Sequence, residues 1–189
     1  MNLIKVNKAN KANLAFFKTC TGTDGIRPVL NGLYVKEKTE NKIVIVTTDS
    51  VKMAMLTFDC CSNEDKVEEG KIYSYILTSS WLIITDTISG KYPNFDVIIP
   101  SEEKMVSIGT PKDKLEAQYF IAQFELINND LLAKLGWNNV EIFVGKNPNT
   151  PVILKGNDIK ALIMPISNRL GKIPTFRDKK IKYLTGDVE

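Results

Sequence analysis

Histidine is absent from the 189 residues. Its absence excludes Ser-His-Asp and Cys-His nucleophile arrangements, imidazole-ligated metals and the usual general base at neutral pH. Carboxylate and lysine chemistry stay open. Cysteine is scarce, with only Cys20, Cys60 and Cys61. Adjacent cysteines strain a disulfide between them, and an odd count without C-x-x-C spacing argues against a disulfide framework or a zinc site. Cys60 and Cys61 lie in the acidic stretch DCCSNEDKVEEG, which raises rather than lowers a thiol pKa. No run approaches the ~18 apolar residues of a membrane span, and the start, MNLIKVNKANK, lacks a signal peptide's apolar block. A cytoplasmic protein with no membrane partner is expected. There is no glycine-rich phosphate loop, and no pair of acids has the spacing of a metal or nuclease motif. Asp24, Asp49 and Asp86 are the acids an enzyme would have to use, and turn chemistry alone explains Asp49. The reading is therefore non-enzymatic, with no catalytic residues, no metal and no cofactor.

What the chain does contain is strand-forming sequence. Hydrophobic residues make up 43%, ordinary for a globular core. Asn2 to Asn7 alternates in polarity and predicts a strand. From about Ala9 to Thr21, Leu14 and Phe17, with Cys20 and Ala9, recur at helical spacing, and Gly22 is a plausible stop. Val29–Lys36, Lys42–Thr47 and Val51–Phe58 are dense in Val, Ile, Leu and Tyr and predict a three-strand antiparallel meander. Its linkers are the polar Glu37–Asn41 and the tight turn Thr47-Thr48-Asp49-Ser50. Ile72 to Ile84 reads as one long strand or as two around Thr78-Ser79-Ser80, and Val97–Pro100 as extended. A second series follows: an extended Gln118–Leu126, a short helix Asn129–Leu135 capped by Asn128, then strands Val140–Val144, Val152–Leu154 and Ile159–Ile163. Strand, helix, three strands thus occurs twice. Trp81 and Trp137 sit in no basic cluster, so core or interface roles are expected rather than base stacking.

The net charge is +3. Six basic residues and one acid crowd Arg169–Lys182, which leaves the remainder mildly acidic. No acid interrupts Met1 to Thr23. Lys8, Lys11 and Lys18 lie outside the helix's apolar stripe, near one another at helical spacing.

Leu30-Asn31-Gly32, a strand, and then Thr48-Asp49-Ser50-Val51-Lys52-Met53 resemble the bacterial DNA polymerase sliding clamp, the polymerase III β subunit family, whose strands carry "YLNG" and "ATDGHRLA". Lys91-Tyr92-Pro93-Asn94-Phe95 to Ile99-Pro100 resembles its interdomain connector. Pro151-Val152-Ile153-Leu154 and Leu162-Ile163-Met164-Pro165-Ile166 resemble its C-terminal "PVLI…YLIMPMRL". The resemblance implies an α+β DNA-clamp fold of βαβββ half-domain units, with antiparallel sheets outside and helices inside. The expected layout is residues 1–60 as a first half-domain, 61–117 as acidic loop, extra strands and connector, 118–170 as a second half-domain, and 171–189 as a basic tail, a shortened version of the family, with a phage or mobile-element type left open. Lys8, Lys11, Lys18, Arg27 and Lys134 are then candidates for the face toward double-stranded DNA, and the tail is a separate one.

In the family, polymerases and repair proteins dock a short linear peptide, with a glutamine and a few hydrophobic residues, into a groove. Carried onto this chain, that groove takes Leu30, Thr48, Ser50, Val51, Lys52 and Met53 from the meander and Pro100 from the connector. Asn128 and Leu131 come from the second helix. Val152, Leu162, Ile163, Met164, Pro165 and Ile166 come from the last strands. Ser50, Val51 and Lys52 replace the family's glycine, histidine and arginine. The implied function is a DNA-encircling, homo-oligomeric replication protein. The alternative is a non-ring relative that serves as an interaction module or decoy for clamp-binding peptides.

Overall fold

The computed structural model describes residues 2–5, 8–23, 25–59, 67–113, 116, 140–145 and 150–164. Two compact units emerge, one of residues 1–93 with 158–161 and one of residues 94–157 with 162–189.

The first unit holds β1 (Asn2–Lys5), the helix α1 (Lys8–Thr19), β2 (Leu33–Lys38), β3 (Lys42–Thr48), β4 (Lys52–Asp59), β5 (Ile72–Leu77) and β6 (Trp81–Thr87). The strands lie in the order β1-β6-β5-β2-β3-β4. The meander forms as its residue pattern predicts. β3 and β4 pair without interruption from Lys42↔Asp59 to Thr48↔Met53, and β2 pairs with β3 through one bulge between Val35 and Glu37. Ile72–Ile84 resolves into two strands. The Thr78 hydroxyl oxygen accepts from Trp81 N at 2.9 Å, and Thr78 N donates to Trp81 O at 2.9 Å, which closes the turn. β6 then carries β1 antiparallel, from Asn2↔Ile84 to Lys5↔Trp81.

Two expected extended stretches are instead single helical turns. Pro28–Asn31 is a 3-10 turn with proline at its start, because proline fixes φ near the helical value and loses only an N–H that would be unpaired there. Leu30 N closes it on Arg27 O at 3.0 Å. Asp96–Ile98 is likewise a 3-10 turn. Asn94 Oδ1 accepts the Asp96 amide at 3.2 Å, so the asparagine side chain outcompetes an extended backbone.

The core of this unit lies between α1 and one sheet face. Leu14, Phe16, Phe17 and Cys20 are buried against it. Phe17 meets the Tyr75 ring edge-on, with centroids 5.9 Å apart, and its carbonyl accepts the Thr47 hydroxyl at 3.1 Å. The Tyr75 hydroxyl bonds that of Thr21. On the opposite face Tyr92 stacks on Tyr34, with ring centroids 5.0 Å apart. Asp158 belongs to this unit and accepts the Thr57 amide at 3.0 Å.

This core makes stability depend on alkaline pH. Burial pushes the Cys20 thiol from 9.0 up to about 12, against a smaller opposing pull from Lys52. Burial also raises Tyr75 and Tyr92. Each folded-state pKa lies above its unfolded value, so the contribution is complete below about pH 9 and drains away as pH rises through the folded pKa. Cys20 alone contributes a slope of about 1.4 kcal/mol per pH unit above pH 9. Urea midpoints should therefore fall steadily above that pH, and Cys20→Ala should flatten the first part of the fall. Equal slopes in both proteins would refute the assignment.

The second unit contains β7 (Met105–Gly109), β8 (Glu141–Gly145) and β9 (Val152–Lys155), and it takes the last residues of β10 (Ile159–Ile163). β7 pairs with β8, with a bulge between Ser107 and Gly109, where Gly109 has φ +92°. β8 pairs with β9 so that Glu141 faces Lys155 and Ile142 faces Leu154. Ile108, Val140, Ile142, Val144, Val152, Ile153 and Leu154 fill its interior. The second helix expected at 129–135 and the extended stretch 118–126 lie outside the described residues, as does the tail 171–189.

Candidate functional site

The turn from Thr48 to Lys52 is built almost wholly from its own side chains. Asp49 Oδ1 accepts Val51 N at 2.9 Å and Lys52 N at 2.8 Å, while Oδ2 takes the Lys52 ammonium in a salt bridge. The Thr48 hydroxyl donates to Lys52 O at 2.9 Å and accepts Ser50 N at 3.1 Å. These bonds hold Ser50 at φ +79°, the one non-glycine residue with positive φ among those described. They also throw Val51 outward, 55% exposed at the tip. Arg27 reaches across from the preceding loop and donates from Nη1 to Ser50 Oγ at 2.8 Å.

The other meander residues carried over from the resemblance sit below this surface. Leu30 and Met53 are buried at 1% exposure and Thr48 at 6%. The second unit holds Val152, Leu162 and Ile163 buried, and Pro100 and Met164 half-buried. Asn128, Leu131, Pro165 and Ile166 lie outside the described residues. The structure thus brings Thr48, Ser50, Val51, Lys52 and Met53 together with Arg27, within one unit. Sequence reasoning explained Asp49 by turn chemistry but left it out of the candidate site, and it missed Ile26, 86% exposed beside Arg27. The Asp-Ser pair signalled the turn, and nothing local signalled the exposed isoleucine.

The second candidate surface is the solvent side of α1. At 100° per residue, the positions of Lys8, Lys11 and Lys18 fall opposite the centre of the arc that the buried Leu14, Phe16, Phe17 and Cys20 span. Lys11, Ala15 and Lys18 are exposed. No acid lies in the helix, and Lys18 sits in its last turn, where a cation is favoured. Arg27 is exposed, and Lys134 lies outside the described residues.

No protein-family model matches the chain. Solved structures match it in architecture. A DNA polymerase III β chain from Thermotoga maritima superposes with a TM-score of 0.59 at 11% identity, covering 87% of this chain and 65% of its own. The subunit from Borrelia burgdorferi, solved in complex with a natural product, gives 0.56 at 17% identity, covering 89% and 65%. The fold is that of the bacterial sliding clamp. The β sliding clamp of Borreliella burgdorferi is also similar in sequence, 24% identical over a 206-residue alignment that covers 87% of this chain. The resemblance read from the residues therefore stands. The clamp-like chain spans 52% of that curated relative and about two thirds of each solved clamp.

Proposed function

We propose that the chain is a sliding-clamp-like DNA replication protein without catalytic activity of its own. It associates with duplex DNA irrespective of sequence, as a ring of several copies, and docks polymerase or repair proteins through short linear peptides. The observation that carries this reading is the clamp fold combined with an acid-free helix whose lysines lie opposite its buried side. Lys8, Lys11 and Lys18 would meet phosphates, with Arg27 and Lys134 beside them, and such contacts position without reading bases. The peptide would dock over the 48–52 turn and Leu30, with Pro100, Asn128, Leu131, Val152 and the 162–166 segment completing its groove. Apolar lining with a few polar groups suits a peptide site.

A second reading is a non-ring relative of the clamp, which keeps the peptide surface and acts as an interaction module or decoy. Light scattering separates the two. A ring needs a heterologous interface that closes, so a discrete oligomer at micromolar concentration supports the clamp reading. A monomer under the same conditions sinks it in favour of the module.

A further inference from the structure

Ser50 occupies a backbone conformation that glycine adopts without cost and that other residues adopt at a cost of about 1 kcal/mol or more. A serine there needs a compensating role, and its hydroxyl has one, accepting the Arg27 guanidinium at 2.8 Å. That bond ties the loop carrying Ile26 to the turn carrying Val51. These are two strongly exposed aliphatic side chains of the unit, 86% and 55%. Within the turn the side-chain bonds are local: Asp49 to Val51 and Lys52, and Thr48 to Ser50 and Lys52. The local bonds shape the turn, and the Ser50–Arg27 bond relates it to the 25–27 loop.

We propose that Ser50 is a positioning residue for peptide docking: clasped by Arg27, it fixes Ile26 and Val51 as one preformed apolar contact for the incoming peptide. The inference rests on the peptide-docking reading above. Preformation matters because a contact that must be ordered on binding loses its ordering entropy from the affinity. The peptide chemistry that fits is an aliphatic or aromatic side chain laid across the two, with the polar rim supplied by the turn.

The test exploits opposite signs. Ser50→Gly removes the hydroxyl and also relieves the φ strain, so thermal stability should hold or rise. Affinity for a fluorescently labelled peptide carrying one glutamine with aliphatic and aromatic residues should nevertheless fall roughly three- to tenfold. Arg27→Ala should weaken the same probe, and Ser50→Gly added to it should weaken it little further, because the two residues act as one device. Unchanged affinity in Ser50→Gly, or strictly additive losses, overturns the inference. The groove reading fails differently. If the wild-type chain does not bind the probe, both fall; if binding is lost in Met164→Ala and unaffected by Ser50→Gly, only the clasp is wrong.

Discussion

Raising monovalent salt from about 50 to about 200 mM will weaken duplex binding roughly fortyfold for three phosphate contacts per chain. Each neutralised phosphate releases close to one condensed counterion, so the logarithm of affinity falls with the logarithm of salt at about −0.9 per contact. In the proposed reading Lys8, Lys11 and Lys18 supply the three, and any contribution from Arg27 or Lys134 steepens the slope. The loss should be the same for unrelated duplex sequences, because phosphate contacts carry no base information. Exchanging both Lys11 and Lys18 for alanine should flatten the slope by about two thirds while leaving the melting temperature near its wild-type value, since both side chains are exposed. Filter or anisotropy titrations at four or five salt concentrations decide the matter. Binding that survives high salt, or that favours one sequence, contradicts the assignment. A chain lacking residues 171–189, titrated alongside, shows how much of the effect belongs to the basic tail.

The largest effect on folding is expected from Phe17→Ala. The ring is fully buried, meets Tyr75 edge-on, and lies on the helix face whose backbone carbonyl anchors Thr47 of β3. Truncating a buried phenylalanine commonly costs about 3–5 kcal/mol, from lost transfer energy and the cavity left behind. Against a total of about 5–15 kcal/mol for a domain, that removes from about a fifth to all of the folding free energy. Urea unfolding should show the midpoint collapse with little change in slope. A loss under about 1 kcal/mol would mean that α1 is not seated on the sheet as described. Phe17→Leu, which retains most of the apolar volume, should recover much of the loss.

The two experiments probe opposite sides of one helix, and the sequence showed those sides unequally well. Leu14 and Phe17 were visible from their spacing, but Phe16 is just as buried and breaks the stripe. In LAFF, two adjacent aromatics cannot both be placed by a 3.6-residue period. The meander was legible because short polar linkers join dense β-branched runs, so each pairing is between neighbours. The partner of β1 was not legible, since nothing in Asn2–Lys5 names Trp81–Ile84 as its match. Likewise no local pattern showed that Tyr92 would stack on Tyr34, since that contact joins residues far apart in sequence. At the candidate site, the Asp-Ser pair announced a turn, and the likeness set glycine where Ser50 stands. Neither could show that Arg27 would reach across to it, because that bond joins residues far apart in sequence. Local rules captured elements and turns, while tertiary pairings decided which surfaces came together.

The composition of the first unit has a consequence for how the chain is made. Its meander joins immediate neighbours and can form as soon as it is synthesised. Its two flanks cannot. β1, the earliest strand, waits for β6, and β4 receives the Asp158 carbonyl only when most of the described chain exists. Closing such long loops carries an entropic cost before any contact repays it, which slows the steps that depend on it. The nascent chain therefore carries its N-terminal strand unmated through synthesis of five later strands of the same sheet. A cut after residue 93 would not release a self-sufficient piece, because residues 158–161 of that piece are encoded on the far side of the cut.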